Sequence, residues 1–421
     1  MQLGARLLAA EDILQHAERE GLPLDRVCDT YFKSRRFIGS GDRRFVSNLV
    51  FATVRHQQKL DWWITNSEKF ALSVNAINRV LAAAVLLEKI TPEAIAADTG
   101  QKYGLEKLSA EQTAWLERLV RLDGDIINPR MPDHVRAECP EWIYAQLVAE
   151  YGVDAAAIGA AQQTEAPVDL RVNTIMTERA AVLAEIQAAI PDAAETPHSP
   201  WGIRLLSRKA FGQLPCLLDG RAEVQDEGSQ LLAQFCAATP GMQVLDYCAG
   251  AGGKTLALAM QMANKGRIVA ADTAEFRLKN AATRLRRAGV HNYELKLLDN
   301  DGRKWLRRQK SRFDLVLCDV PCTGTGTWRR NPDLRYRFTP ESLPELLTLQ
   351  QNILTEAANF LKPEGRLVYA TCSLLRDENE AQIKKFLAAN AGWQQTGTLK
   401  LNPARDGTDG FFGVVLEKSA S

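Results

Sequence analysis

The chain has no CxxC pair, and its five histidines are isolated from one another. The usual ligand spacings of a structural zinc site are therefore missing, and no bound metal is expected. Its eight cysteines, Cys28, Cys139, Cys216, Cys236, Cys248, Cys318, Cys322 and Cys372, are scattered through 421 residues. No secretory start accompanies them: MQLGARLLAAEDILQ carries acids by position 12 and no long apolar block. Free thiols in a reducing cytoplasm are the expectation, not a disulfide framework. No run approaches the ~18 apolar residues of a membrane span, so no membrane partner is expected. An excess of one charge is lacking too, with 52 basic against 51 acidic residues, so overall charge does not point to nucleic acid.

Charge is nevertheless uneven. Lys33, Arg35, Arg36, Arg43, Arg44, Arg55 and Lys59 fall in one stretch with a single acid, Asp42. Lys296–Arg312 holds seven basic residues and two acids, and Trp328–Arg337 mixes four arginines with aromatics. Such clusters can track phosphates, or can be no more than solvated helix faces.

Three kinds of pattern follow along the chain. Residues 1–135 have apolar residues at helical spacing, as in Leu7, Leu8, Ile13 and Leu14, and no strand pattern. Gly39–Asp42 is a turn with a helix cap, residues 43–57 form a helix, and residues 77–90 another. Residues 136–220 are mixed: a helix opened by Pro140, an alanine-rich helix, an alternating strand over 168–173 and a loop over 193–201. They form a small α+β middle domain. From 221 to 421, strands alternate with helices such as 345–361. The strands are expected at 242–247, 267–271, 294–298, 314–318 and 366–370. That alternation predicts an α/β domain, a parallel sheet covered on both faces, whose ligand lies at the carboxyl ends of the strands.

The residues at those ends carry the chemistry. The first strand leads into Asp246-Tyr-Cys-Ala-Gly250-Ala-Gly252-Gly253-Lys254-Thr255. A phosphate-binding loop would need glycine where Cys248 stands, and the dinucleotide pattern would need it at Thr255. An acid followed by Gly-x-Gly at a strand-to-helix turn suits the amino-acid end of S-adenosylmethionine, which has no phosphate. The alternative is an ordinary glycine-rich connection. The second strand ends in Asp272, placed to accept ribose hydroxyls or to cap the next helix. An acid near the end of the third strand, in Asp299-Asn-Asp301, could bond the adenine amino group. Cys318 lies within the fourth strand and belongs to the core. Cys322 and Cys372 fall just past the ends of adjacent strands, where two cysteines are less readily explained as buried apolar groups.

Together these motifs are specific. LRVNT (Leu170–Thr174), VQDEGSQ (Val224–Gln230), CAGAGGKT (Cys248–Thr255), DVPCTGTGTWRRNPD (Asp319–Asp333), YATCS (Tyr369–Ser373) and DGFF (Asp409–Phe412) make residues 168–421 resemble the Sun/Nop (RsmB-like) family of RNA cytosine-C5 methyltransferases. The resemblance implies a Rossmann-like class I methyltransferase sheet. It makes Cys372 the nucleophile that adds to cytosine C6 and Cys322 the thiol that assists release. Asp319 would lie near N3 and the exocyclic amine of the base. The cofactor site falls on Cys248, Ala249, Gly250, Ala251, Gly252, Gly253, Lys254, Asp272, Asp301 and Asp319, with Asp301 preferred to Asp299 on the resemblance. The family usually has proline at Ala251 and alanine at Val320. Residues 1–135 more distantly resemble a NusB-like RNA-binding domain.

The expected function is thus S-adenosylmethionine-dependent methylation of cytosine C5 in RNA, small-subunit ribosomal RNA above all, in the cytoplasm. A tRNA substrate, or a non-catalytic RNA-binding assembly factor, are the alternatives. Loss of either site cysteine would signal the second, and both are present. An NAD-dependent dehydrogenase is disfavoured by Thr255.

Overall fold

The computed structural model describes residues 1–67, 70, 72–121, 126–206 and 211–419. They group into two compact units. One holds Met1–Thr164 with Trp328–Phe338, the other Glu165–Thr327 with Thr339–Ser421.

Among its described residues the first unit has helices and no strand. Ala76–Leu86 is buried almost all round, and its alanines let neighbouring helices approach closely. Leu3–Glu20 and Ser40–Arg55 pack on it through Leu7, Ala10, Ile13, Val46, Leu49 and Val50. The expected cap at Gly39–Asp42 falls differently. Gly39 is the N-cap and Asp42 lies in the first turn, bonded to the Met1 amino group and Arg6 at 2.8 Å each.

The second unit contains two sheets. The smaller is antiparallel, built from β1 (Val168–Val172), β2 (Ala194–Glu195), β3 (Gly202–Leu205) and β4 (Ala222–Val224) in the order β2-β3-β1-β4. Val182 and Ile186 of the helix Arg179–Ala189 share a core with its Leu170, Val172, Ile203 and Leu205.

The larger sheet is α/β and Rossmann-like. Its strands are β5 (Gln243–Tyr247), β6 (Arg267–Asp272), β7 (Tyr293–Leu297), β8 (Phe313–Asp319), β9 (Leu361–Thr371), β10 (Trp393–Leu401) and β11 (Phe411–Lys418), in the order β10-β11-β9-β8-β5-β6-β7. The five expected strands, β5 to β9, pair in parallel. The last two were not expected, and β11 inserts antiparallel beside β9, so the sheet is mixed. Strand alternation feeds both faces. Leu315 and Leu317 of β8 pack on one side, Val316 and Cys318 on the other, where Cys318 is buried as anticipated. Sequence order reverses between β5 and β8, the point at which open α/β sheets bind ligands.

Candidate active site

Past β5 the chain must turn sharply into the helix Gly253–Gln261. Cys248 takes φ +91°, the left-handed region that favours glycine, so it supplies by strain the bend a glycine would give freely. Its N–H and that of Ala249 both donate to the Ala271 carbonyl, at 3.0 and 2.9 Å, which draws the loop across the end of β6. Thr255 donates its hydroxyl to Asp246 Oδ2 at 2.6 Å, giving a tether where the dinucleotide pattern has glycine. Asp246 Oδ1 is buried with no hydrogen-bond partner among the described residues. Burial pushes that carboxyl up to about 6, against the bond from Thr255.

A cleft of about 800 Å³ opens at the carboxyl ends of β5, β6 and β8. Cys248, Ala249, Gly250, Ala251, Gly253, Lys254, Asp272, Asp319 and Cys322 all line it. Gly252 does not, serving as the N-cap of the helix at φ +78°. Asp272 accepts from Gly250 N at 2.8 Å and Ala274 N at 2.7 Å, so one carboxylate joins the glycine loop to the next turn. S-adenosylmethionine fits this site. The volume suits a cofactor of its size, and Asp272, which lines the cleft, keeps acceptor capacity for hydroxyls.

Asp301, like Gly252, is absent from the cleft lining. Its side chain is 90% exposed and pairs with Lys304 at 3.4 Å. Asp299 caps the helix Asn300–Arg307 by accepting from Gly302 N at 2.7 Å. From this segment Leu298 and Arg303 reach the cleft instead.

At the other wall, Cys322 Sγ and Cys372 Sγ are 3.3 Å apart. Cys322 lines the cleft; Cys372 is not among its lining residues and meets it only through the contact with Cys322. The shared hydrogen bond with Cys372 and burial raise the Cys322 thiol well above its ordinary value. Lys254 Nζ donates to Asp319 Oδ2 at 2.6 Å and lies 5.5 Å from the Phe411 ring centroid. Burial would lower its pKa, but the Asp319 charge and Cys372 raise it, and the amine stays charged.

The other motifs hold these loops together. Gly326 N donates to Cys372 O at 2.9 Å, and Gly410 N to Gly326 O at 2.8 Å. A Cβ on Gly326 would fall 2.3 Å from Gly410 O, which is why glycine stands there. Arg171 of LRVNT is buried and donates to Gly253 O at 2.8 Å and to Gln225 Oε1. Gln225 itself lines the cleft. Motif membership pointed to Arg171 and Gln225; nothing in the sequence showed their contact with the cofactor loop.

The charged clusters divide. Trp328, Arg329 and Arg335 are buried, and Arg335 donates to Arg55 O and Gln162 O at 2.8 Å each. This segment therefore serves the interior of the helical unit, contrary to the reading as a phosphate track. Arg55 and Lys59 are buried likewise, Lys59 lying 4.0 Å from the buried Glu138. Arg43 is turned onto Ile38 O at 2.8 Å, whereas Lys33, Arg36 and Arg44 are exposed.

Among known proteins, the family model for the 16S rRNA methyltransferase RsmB/F matches residues 233–417. A second, for the ferredoxin-like domain of RsmF/B-like methyltransferases, matches residues 139–211. A Synechocystis protein described as a probable ribosomal RNA small subunit methyltransferase B is 31% identical over 414 residues, covering 90% of this chain and 92% of that one. The ribosomal RNA small subunit methyltransferase B of Escherichia coli O157:H7 is 30% identical over 435 residues, covering 99% of each. A methyltransferase homologue from Pyrococcus horikoshii, solved as a crystal structure, has a TM-score of 0.61 at 27% identity, covering 69% of this chain and 100% of that one.

Proposed function

The chain belongs to the RsmB/F family of ribosomal RNA small subunit methyltransferases, and from that membership we propose that it methylates C5 of a cytosine in small-subunit ribosomal RNA. S-adenosylmethionine is the cofactor, held by the glycine loop and Asp272. The observation that carries the position of methylation is the pair of sulfurs, 3.3 Å apart beside the cofactor cleft. Cytosine C5 is a poor nucleophile. Addition of the Cys372 thiolate to C6 forms the Sγ–C6 bond and moves the C5–C6 π pair to C5, which becomes enamine-like. When bound, the cofactor supplies an electrophilic methyl group. The C5 proton then passes to solvent water, its electron pair re-forms the C5–C6 double bond, and the Sγ–C6 bond breaks to return the Cys372 thiolate. Cys322 is placed to assist that departure. Asp319, held by Lys254, is the carboxylate that would accept from the exocyclic amine and from N3 once N3 carries a proton. Attack on the ring face needs an unstacked base, so the target is single-stranded or flipped.

Bisulfite mapping of small-subunit ribosomal RNA from cells with and without this protein tests the proposal. One cytosine protected only in its presence is expected. Full conversion in both samples, with methyl transfer from labelled cofactor intact, sinks the C5 assignment.

A further inference from the structure

Sheet register does not by itself set the distance between the two sulfurs. The last residues paired between β8 and β9 are Asp319 and Ala370, and both cysteines lie beyond them in loops. One buried side chain spans those loops. Glu378 accepts the Thr323 N–H at 2.8 Å, the Thr323 hydroxyl, the Ser373 hydroxyl and Gln350 Nε2 at 2.9 Å. Thr323 follows Cys322, and Ser373 follows Cys372. Gln350 Nε2 also donates to Pro321 O at 2.9 Å, so the residues on both sides of Cys322 are tied to one carboxylate. Tyr369 OH donates to the Glu378 carbonyl at 2.7 Å, which fixes the glutamate's own backbone against β9.

These four donors are neutral. A buried carboxylate is costly without a cation opposite it, and a less costly tether would be a neutral amide. Glu378 is also one of the groups that raise the Cys322 thiol.

We propose that Glu378 is a positioning residue that holds Cys322 and Cys372 at their working separation through Thr323 and Ser373. The proposal rests on the reading of these two cysteines as the reacting pair. The test uses a readout that needs no RNA. Diamide takes two hydrogens from a pair of close thiols: both S–H bonds break, one S–S bond forms, and two protons and two electrons reduce diamide to its hydrazine form. Closure of Cys322 with Cys372, read by mass spectrometry of the joined peptides, reports their separation in the full chain.

Glu378→Ala, and the double variant Thr323→Val with Ser373→Ala, should slow closure at least about tenfold. Methylation kcat should fall about 100-fold, the scale of a misplacement near 1 Å, with cofactor affinity unchanged by calorimetry. Glu378→Gln, which keeps the shape and one acceptor oxygen, should fall between. Closure at the wild-type rate in folded Glu378→Gln and Glu378→Ala overturns the proposal, and if Glu378→Ala does not fold, the double variant decides in the same way. Slowed closure in an enzyme whose product is not 5-methylcytosine leaves the positioning standing and removes the cytosine reading. Unchanged closure with normal 5-methylcytosine does the reverse.

Discussion

Asp272 Oδ2 accepts the N–H of Gly250 at 2.8 Å, so the acid at the end of β6 and the turn at the end of β5 form one rigid corner. The carboxylate proposed to receive the ribose hydroxyls thus also shapes the glycine loop.

Asp272→Ala should therefore weaken S-adenosylmethionine binding. A hydrogen bond to a charged group is worth about 1.5–3 kcal/mol, or about 10–100-fold in affinity. Asp272→Asn, which keeps one acceptor for Gly250, should lose less. Calorimetry with unchanged affinity in the alanine variant removes Asp272 from the site.

The cysteines should separate by phenotype. Cys372→Ala should abolish methyl transfer and leave no covalent protein–RNA species. Cys322→Ala should still attack, stall before release, and accumulate an adduct stable on a denaturing gel. The double variant should lose that adduct. The opposite pattern reverses the two roles, and full activity in both single variants rejects a cysteine mechanism.

In the helical unit the exposed and buried basic residues should part company. Arg36→Glu with Arg44→Glu should weaken RNA binding and lower its salt slope by about 1 for each phosphate that is no longer neutralised. Arg55→Ala should instead lower the thermal midpoint, because it donates to Arg329 O at 2.9 Å and Thr164 O at 3.0 Å inside the unit. An unaltered salt slope in the double reversal makes that stretch a solvated face.

His56 predicts a pH dependence. Burial, aided by Lys59, Arg335 and Arg55, depresses it to about 3 from 6.5. It is neutral in the fold and takes up a proton on unfolding at lower pH. Its contribution is complete above 6.5 and is lost as pH falls toward 3. Buried Glu138, raised to about 7 from 4.5, acts oppositely, costing stability as pH rises through that window. The difference between wild type and His56→Gln isolates the histidine: thermal midpoints should diverge in slope between pH 7 and 5, the wild type falling faster. Parallel curves would mean that His56 is not held neutral.

The alternation of apolar strands and amphipathic helices follows from local period, so β5 to β9 are legible in the sequence. The strand-end rule then locates Cys248–Lys254, Asp272, Asp319, Cys322 and Cys372 without the fold in hand. The antiparallel pair is not legible. Trp393–Leu401 is half-exposed and polar, and its place depends on pairing with β11 across the sheet. Nor could sequence separate Arg36 from Arg335. Both are arginines in basic stretches, and only the carbonyls of Arg55 and Gln162, brought from distant parts of the chain, make one of them interior. The sulfur separation has the same origin. Residue identity placed two thiols past neighbouring strands, whereas their 3.3 Å distance depends on loops held from Glu378, a group whose role exists only once Thr323, Ser373 and Gln350 converge on it.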